Sequence, residues 1–137
     1  MRTQFNILVI SDLHLGEDLS VTSDRMATAA LDLRESQLVE FVNHYTVHRR
    51  SGLPWRLVIN GDMVDFLAIL LPEHRDTVEN AKIWTERTRR LAHGVTKMRR
   101  VGERHSRLFR SFARFLQAGN RLEVIAGNHD IEFQHSA

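Results

Sequence analysis

Three short apolar runs punctuate the chain: Ile7-Leu8-Val9-Ile10, Leu57-Val58-Ile59 and Leu122-Glu123-Val124-Ile125-Ala126. All are rich in β-branched residues, and the first two are unbroken, the pattern of parallel strands buried on both faces. Between them the apolar spacing becomes helical. From about Leu33 to Arg50, the residues Leu38, Phe41, Val42 and Tyr45 share one face, and Gly52 with Pro54 closes the segment. From about Glu103 to Ala118, Leu108, Phe112, Phe115 and Leu116 form a stripe with Arg107, Arg110 and Arg114 opposite, and Gly119 supplies the stop. The stretch from Glu73 to Val101 is longer than a simple crossover needs. Trp84, Leu91, Val95 and Met98 mark it as an inserted helix or helical pair, with Gly94 as a candidate break and the Trp84 stripe as core or lid packing.

Strand, helix, strand, helical insertion, helix and strand predict an α/β fold with a parallel sheet and right-handed crossovers. In such sheets the ligand site lies beyond the carboxyl ends of the strands. With no repeat, low-complexity tract or Pro/Gly-rich linker, residues 1–137 read as part of a single domain.

Each run passes directly into a polar cluster: Ser11-Asp12-Leu13-His14, Asn60-Gly61-Asp62-Met63-Val64-Asp65 and Gly127-Asn128-His129-Asp130. A parallel sheet brings all three to one edge. Asp12 and His14 alternate with Leu13, so an extended chain would point both to one side and let them grip one ion. Gly61 and Gly127 stand where the backbone must turn off a strand and approach a ligand closely. Taken singly, a carboxylate at a strand end often caps a helix, and Asn-His in a turn often bonds its own backbone. Three together point to a site.

Composition narrows its chemistry. A chain of 137 residues, 42% hydrophobic and 26% charged, is long enough to bury a core. Without cysteine, disulfides, thiolate metal sites and cysteine nucleophiles are excluded. A metal must therefore bind through oxygen and imidazole, a donor set suited to Mn²⁺, Fe²⁺ or Zn²⁺. The N-terminus shows no cleavage signal and no membrane-length apolar span, so a cytoplasmic protein is expected. Oligomeric state is not legible. Residues 86–110 carry nine Lys/Arg against Glu86 and Glu103, a net +7 in a chain of net +2. That segment admits a nucleic-acid partner, but no aromatic interleaving or binding module accompanies it, and a solvated helix face is the simpler reading.

These residues resemble the calcineurin-like metallophosphoesterases. The family's motif blocks run Asp-x-His, Gly-Asp-x-x-Asp, Gly-Asn-His-Asp/Glu, a lone His and Gly-His-x-His. The first three stand here in order as Asp12-Leu13-His14, Gly61-Asp62-Met63-Val64-Asp65 and Gly127-Asn128-His129-Asp130. The sequence given runs seven residues past Asp130 and does not include the other two, so the resemblance implies the N-terminal part of the domain, the β-α-β core of a metallophosphoesterase-type sandwich.

The resemblance further implies two divalent ions, with Asp12 and His14 on the first, Asp62 bridging both and Asn128 on the second. It implies that His129 faces the leaving group as acid or charge stabiliser, oriented by Asp65. The substrate would be an anionic phosphomonoester or phosphodiester, hydrolysed by activated water between two cations roughly 3.5–4 Å apart. The alternative is a truncated or degenerate member that binds a metal or partner without turnover, since one ligand of the first ion and two of the second belong to the missing blocks. Phe66-Leu67 stands where the protein Ser/Thr phosphatase branch has Arg-Gly, which argues against that branch.

Asp130 reads as a turn residue or a support behind the ligands. His44 and His48 have metal-compatible spacing but no matched carboxylate. His74, His93 and His105 read as surface groups, and His135 follows Asp130 too closely to replace a missing ligand.

Overall fold

The apolar runs form strands, and the strands lie side by side. In the computed structural model, residues 4–20, 25–69, 71 and 86–130 are described, with the backbone alone for 27 and 86–92. Strand β1 spans Asn6–Ile10, helix α1 Arg25–Val47, β2 Trp55–Asn60, α2 Glu86–Arg104, α3 Ser106–Gln117 and β3 Arg121–Ile125. The sheet has the order β1-β2-β3 and is parallel throughout, with Leu8 level with Leu57 and Leu57 with Leu122. The chain is thus α/β, and the carboxyl ends of all three strands lie along one edge.

The core forms where α1 and α3 lie over the sheet. Val39 and Val42 from α1, Trp55, Leu57 and Ile59 from β2, and Leu108, Phe112 and Phe115 from α3 are buried together, with Leu8, Ile10 and Leu122 packed against them. Each fully buried Leu or Phe contributes about 1.5–3 kcal/mol through removal from water. Val101, near the end of α2, joins the same cluster as Phe66 and Ile69 from the segment that follows β2.

Several expectations change. The first run was expected to be buried on both faces, yet in β1 Ile7 and Val9 are 65% and 63% exposed. Leu8 and Ile10 point to the helix-covered face and their neighbours point away, so β1 alternates. The first helix is already formed at Arg25, eight residues earlier than the apolar stripe suggests, because its early turns carry no core-facing stripe to read. Gly94 does not break α2, which continues through it to Arg104. Within the apolar pattern read there, Met98 packs against the core whereas Val95 is exposed; Leu116 of α3 is exposed too. Trp84, His74 and His135 lie outside the described residues. Gly119 ends α3 as expected, at a positive φ of 83° with its N–H donated to the Leu116 carbonyl. No helix among the described residues is long and apolar enough to cross a membrane.

Candidate metal centre

Past the strand ends, the three polar segments are tied to one another by backbone hydrogen bonds. The His14 N–H donates to the Asp62 carbonyl (3.0 Å) and the Leu15 N–H to that of Met63 (2.9 Å). The Asp65 N–H returns to the Leu15 carbonyl (3.0 Å), the Gly61 N–H reaches Ile125 (2.9 Å) and the Phe66 N–H reaches His129 (3.3 Å). Pairing therefore continues beyond the regular strands, and the side chains these segments carry are set by a shared framework.

The donor atoms of Asp12, His14 and Asp62 lie within 4.8 Å of one another, as do those of His14, Asp65 and His129. Two carboxylates and an imidazole at that spacing suit a borderline or hard divalent ion. The first two residues do not meet by extended alternation, as their spacing had suggested. Asp12 and His14 have φ of 54° and 46°, and Asp62 has 51°. Asp and His are enriched among the few non-glycine residues found in this left-handed region, where most side chains are strained. Gly61 turns the chain off β2 at a φ of 82°.

Gly127 has a different reason to be glycine. A Cβ there would stand 2.2 Å from Asp62 Oδ1 and 2.5 Å from its backbone nitrogen. The cradle that seats the Asp62 carboxylate is thus the bare backbone of the third segment, and the His129 N–H donates to the same Oδ1 at 2.9 Å.

Asp65 and His129 pair directly, with His129 Nδ1 3.1 Å from Asp65 Oδ1. The other Asp65 oxygen lies 3.7 Å from His14 Nδ1, and the His14 and His129 rings meet edge to face with centroids 4.9 Å apart. Asn128 is exposed on the turn between Gly127 and His129. Of the remaining histidines, His93 is exposed; His44 and His48 stack in the open at 4.3 Å.

The hydrogen bond that His129 donates to Asp65 raises the His129 pKa above its ordinary 6.5; burial opposes this and the nearby carboxylates add to it. Burial pushes the Asp65 carboxyl up, but hydrogen bonds from His129 and the Ala68 N–H, with the charges of His129 and His14, outweigh it and hold the group below its usual value. The folded state holds the His129 proton more tightly than the unfolded chain does. The pair's contribution to stability is therefore full below about 6.5 and is lost as pH rises through the raised value. At the acid end, the Asp65 contribution is present above the ordinary carboxyl value and is lost as pH falls through the lowered one. In ion-free protein, the His129 ring protons are expected to report a midpoint above the ordinary imidazole value, and Asp65→Asn to bring it down. A midpoint unmoved by that substitution would remove Asp65 as the cause.

Two residues matter more than their sequence context suggests. Asp130 is fully buried, and its carboxylate accepts three backbone N–H groups: Met63 (3.0 Å), Val64 (2.7 Å) and Gly127 (3.0 Å). It joins the second segment to the third. His105, expected at the surface, is instead 2% exposed. Its partners lie 70 and 89 positions away, so local pattern carries no sign of its burial.

No family model, curated protein or solved structure matches this chain.

Proposed function

We propose that this chain forms the core of a metal-dependent phosphoesterase site that hydrolyses a phosphomonoester or phosphodiester. One observation carries the reading: Asp12, His14 and Asp62 present donor atoms within 4.8 Å of one another at the carboxyl edge of a parallel sheet, with the His129–Asp65 pair beside them. In this reading Asp12 and His14 would hold a first divalent ion, and Asp62 with Asn128 would supply the donors for a second. Bound there, Mn²⁺, Fe²⁺ or Zn²⁺ would polarise phosphoryl oxygens and lower the pKa of water.

The chain's own residues supply the rest. Asp65 engages Nδ1 of His129, which leaves Nε2–H as the group that donates a proton to the leaving oxygen. In the ion-free protein the bond to Asp65 holds the His129 proton more tightly than an ordinary imidazole holds its own. The Gly127 backbone and the His129 N–H fix the Asp62 carboxylate, so it need not reorganise on binding an ion.

The test is release of nitrophenol from p-nitrophenyl phosphate and bis(p-nitrophenyl) phosphate by protein loaded with Mn²⁺. Turnover of either substrate, lost on chelation, is the expected outcome; no turnover of both with two ions bound per chain would overturn the reading. A second reading, ion binding without turnover, draws on the donor set itself: Asp12, His14 and Asp62 lie close enough together to hold a single ion. One tight ion per chain and no hydrolysis would favour it.

A further inference from the structure

Behind the segment that carries Asp12 and His14, the chain is gripped by the junction of α2 and α3. Gly16 is buried at a φ of 91°, and a Cβ on it would meet Ile69 Cδ1 at 2.8 Å and Val101 Cγ2 at 3.1 Å. Its N–H donates to His105 Nε2 at 3.1 Å. That nitrogen must carry the lone pair, so the ring proton sits on Nδ1, which faces Glu35 Oε2 of α1 at 2.8 Å. Glu35 is itself buried. Both ring nitrogens of a buried imidazole are thus satisfied, and together they select one neutral tautomer.

The neighbouring residue reinforces the grip. Arg104 donates to Asp18, two positions past Gly16, at 2.6 Å and to Asp32 of α1 at 2.7 Å, and another of its nitrogens lies 3.8 Å from Glu35. Further back on the same helix, Lys97 donates to the Phe66 carbonyl at 2.7 Å, directly after Asp65. The carboxyl half of α2 therefore grips the chain just past two of the three segments that form the candidate centre.

We infer that His105 is a positioning residue for the ion site: oriented by Glu35, it clamps the Gly16 N–H and so keeps Asp12 and His14 in the left-handed turns that present their donors. As a claim about ion binding, this rests on the function proposed above. The clamp itself does not.

Two substitutions in the full chain separate the halves of the ring. His105→Asn places an amide near Nδ1, keeping a donor for Glu35 and leaving the Gly16 N–H without its acceptor. His105→Gln places an amide oxygen near Nε2 and keeps that acceptor. Free Mn²⁺, followed by its electron paramagnetic resonance signal, should show affinity about 10–100-fold weaker in His105→Asn and within about threefold of wild type in His105→Gln. Exchange of the Gly16 amide should quicken by about tenfold or more in the first variant alone.

Urea unfolding establishes that both variants fold. Should His105→Asn not fold, Glu35→Ala serves instead, since it removes the acceptor that holds the proton on Nδ1; faster Gly16 exchange and weaker Mn²⁺ binding are expected there too. Equal Mn²⁺ affinity in folded wild type and His105→Asn, or equal losses in the two His105 variants, would overturn the inference. If wild type binds no Mn²⁺, the proposed function fails. The clamp is then judged on exchange alone: it stands if Gly16 protection is lost in His105→Asn and kept in His105→Gln, and falls if all three proteins exchange alike.

Discussion

Asp62→Asn is expected to weaken Mn²⁺ binding and phosphoester turnover by more than the roughly 10–100-fold that changes behind a ligand produce. The substitution removes the negative charge and one oxygen while leaving most of the local geometry possible. Asparagine tolerates the left-handed backbone at this position, and its amide oxygen can still accept the His129 N–H that Asp62 Oδ1 accepts at 2.9 Å. Loss of function with little change in the urea midpoint would therefore locate the effect in the ion site. Wild-type Mn²⁺ affinity in this variant would remove Asp62 from the ligands.

Asp130→Ala should act on the fold. Its carboxylate is the acceptor for three backbone N–H groups, and without it those groups face a small cavity. At about 1–3 kcal/mol for each orphaned donor, with partial relaxation, the expected loss is roughly 4 kcal/mol. That is a large share of the about 5–15 kcal/mol that stabilises a typical domain. Urea denaturation at a constant m-value measures it. A loss below about 1 kcal/mol would mean that water or a neighbouring oxygen takes over the three donors.

The two substitutions also mark where sequence and structure part. The strand-end clusters were legible because β-branched runs give way abruptly to Asp, His, Asn and Gly, and a parallel sheet leaves those residues only one edge to share. The His129–Asp65 pair was an expectation only through the resemblance of the motif blocks, and the structure sets the two side chains 3.1 Å apart. By contrast, Asp130 looks like one more polar turn residue until its partners 66 and 67 positions away are in place. His105 is hidden for the same reason: its burial is decided by Glu35 and Gly16, and nothing adjacent in the chain announces either.

Hydrophobic pattern misled at β1, where an unbroken apolar run suggests two covered faces although Ile7 and Val9 point away from the helices. The early turns of α1 were missed for the opposite reason, since a helix without an apolar stripe gives periodicity nothing to detect.

The left-handed turns at Asp12, His14 and Asp62 set evolution of this chain against its own stability. An L-residue in that conformation costs roughly 1–2 kcal/mol that glycine avoids. At these three positions, the replacement that most relaxes the backbone also deletes a donor group. Selection for thermal resistance alone would thus reward glycine there and erase the candidate site, whereas selection for the proposed chemistry would keep the strain and compensate elsewhere in the core.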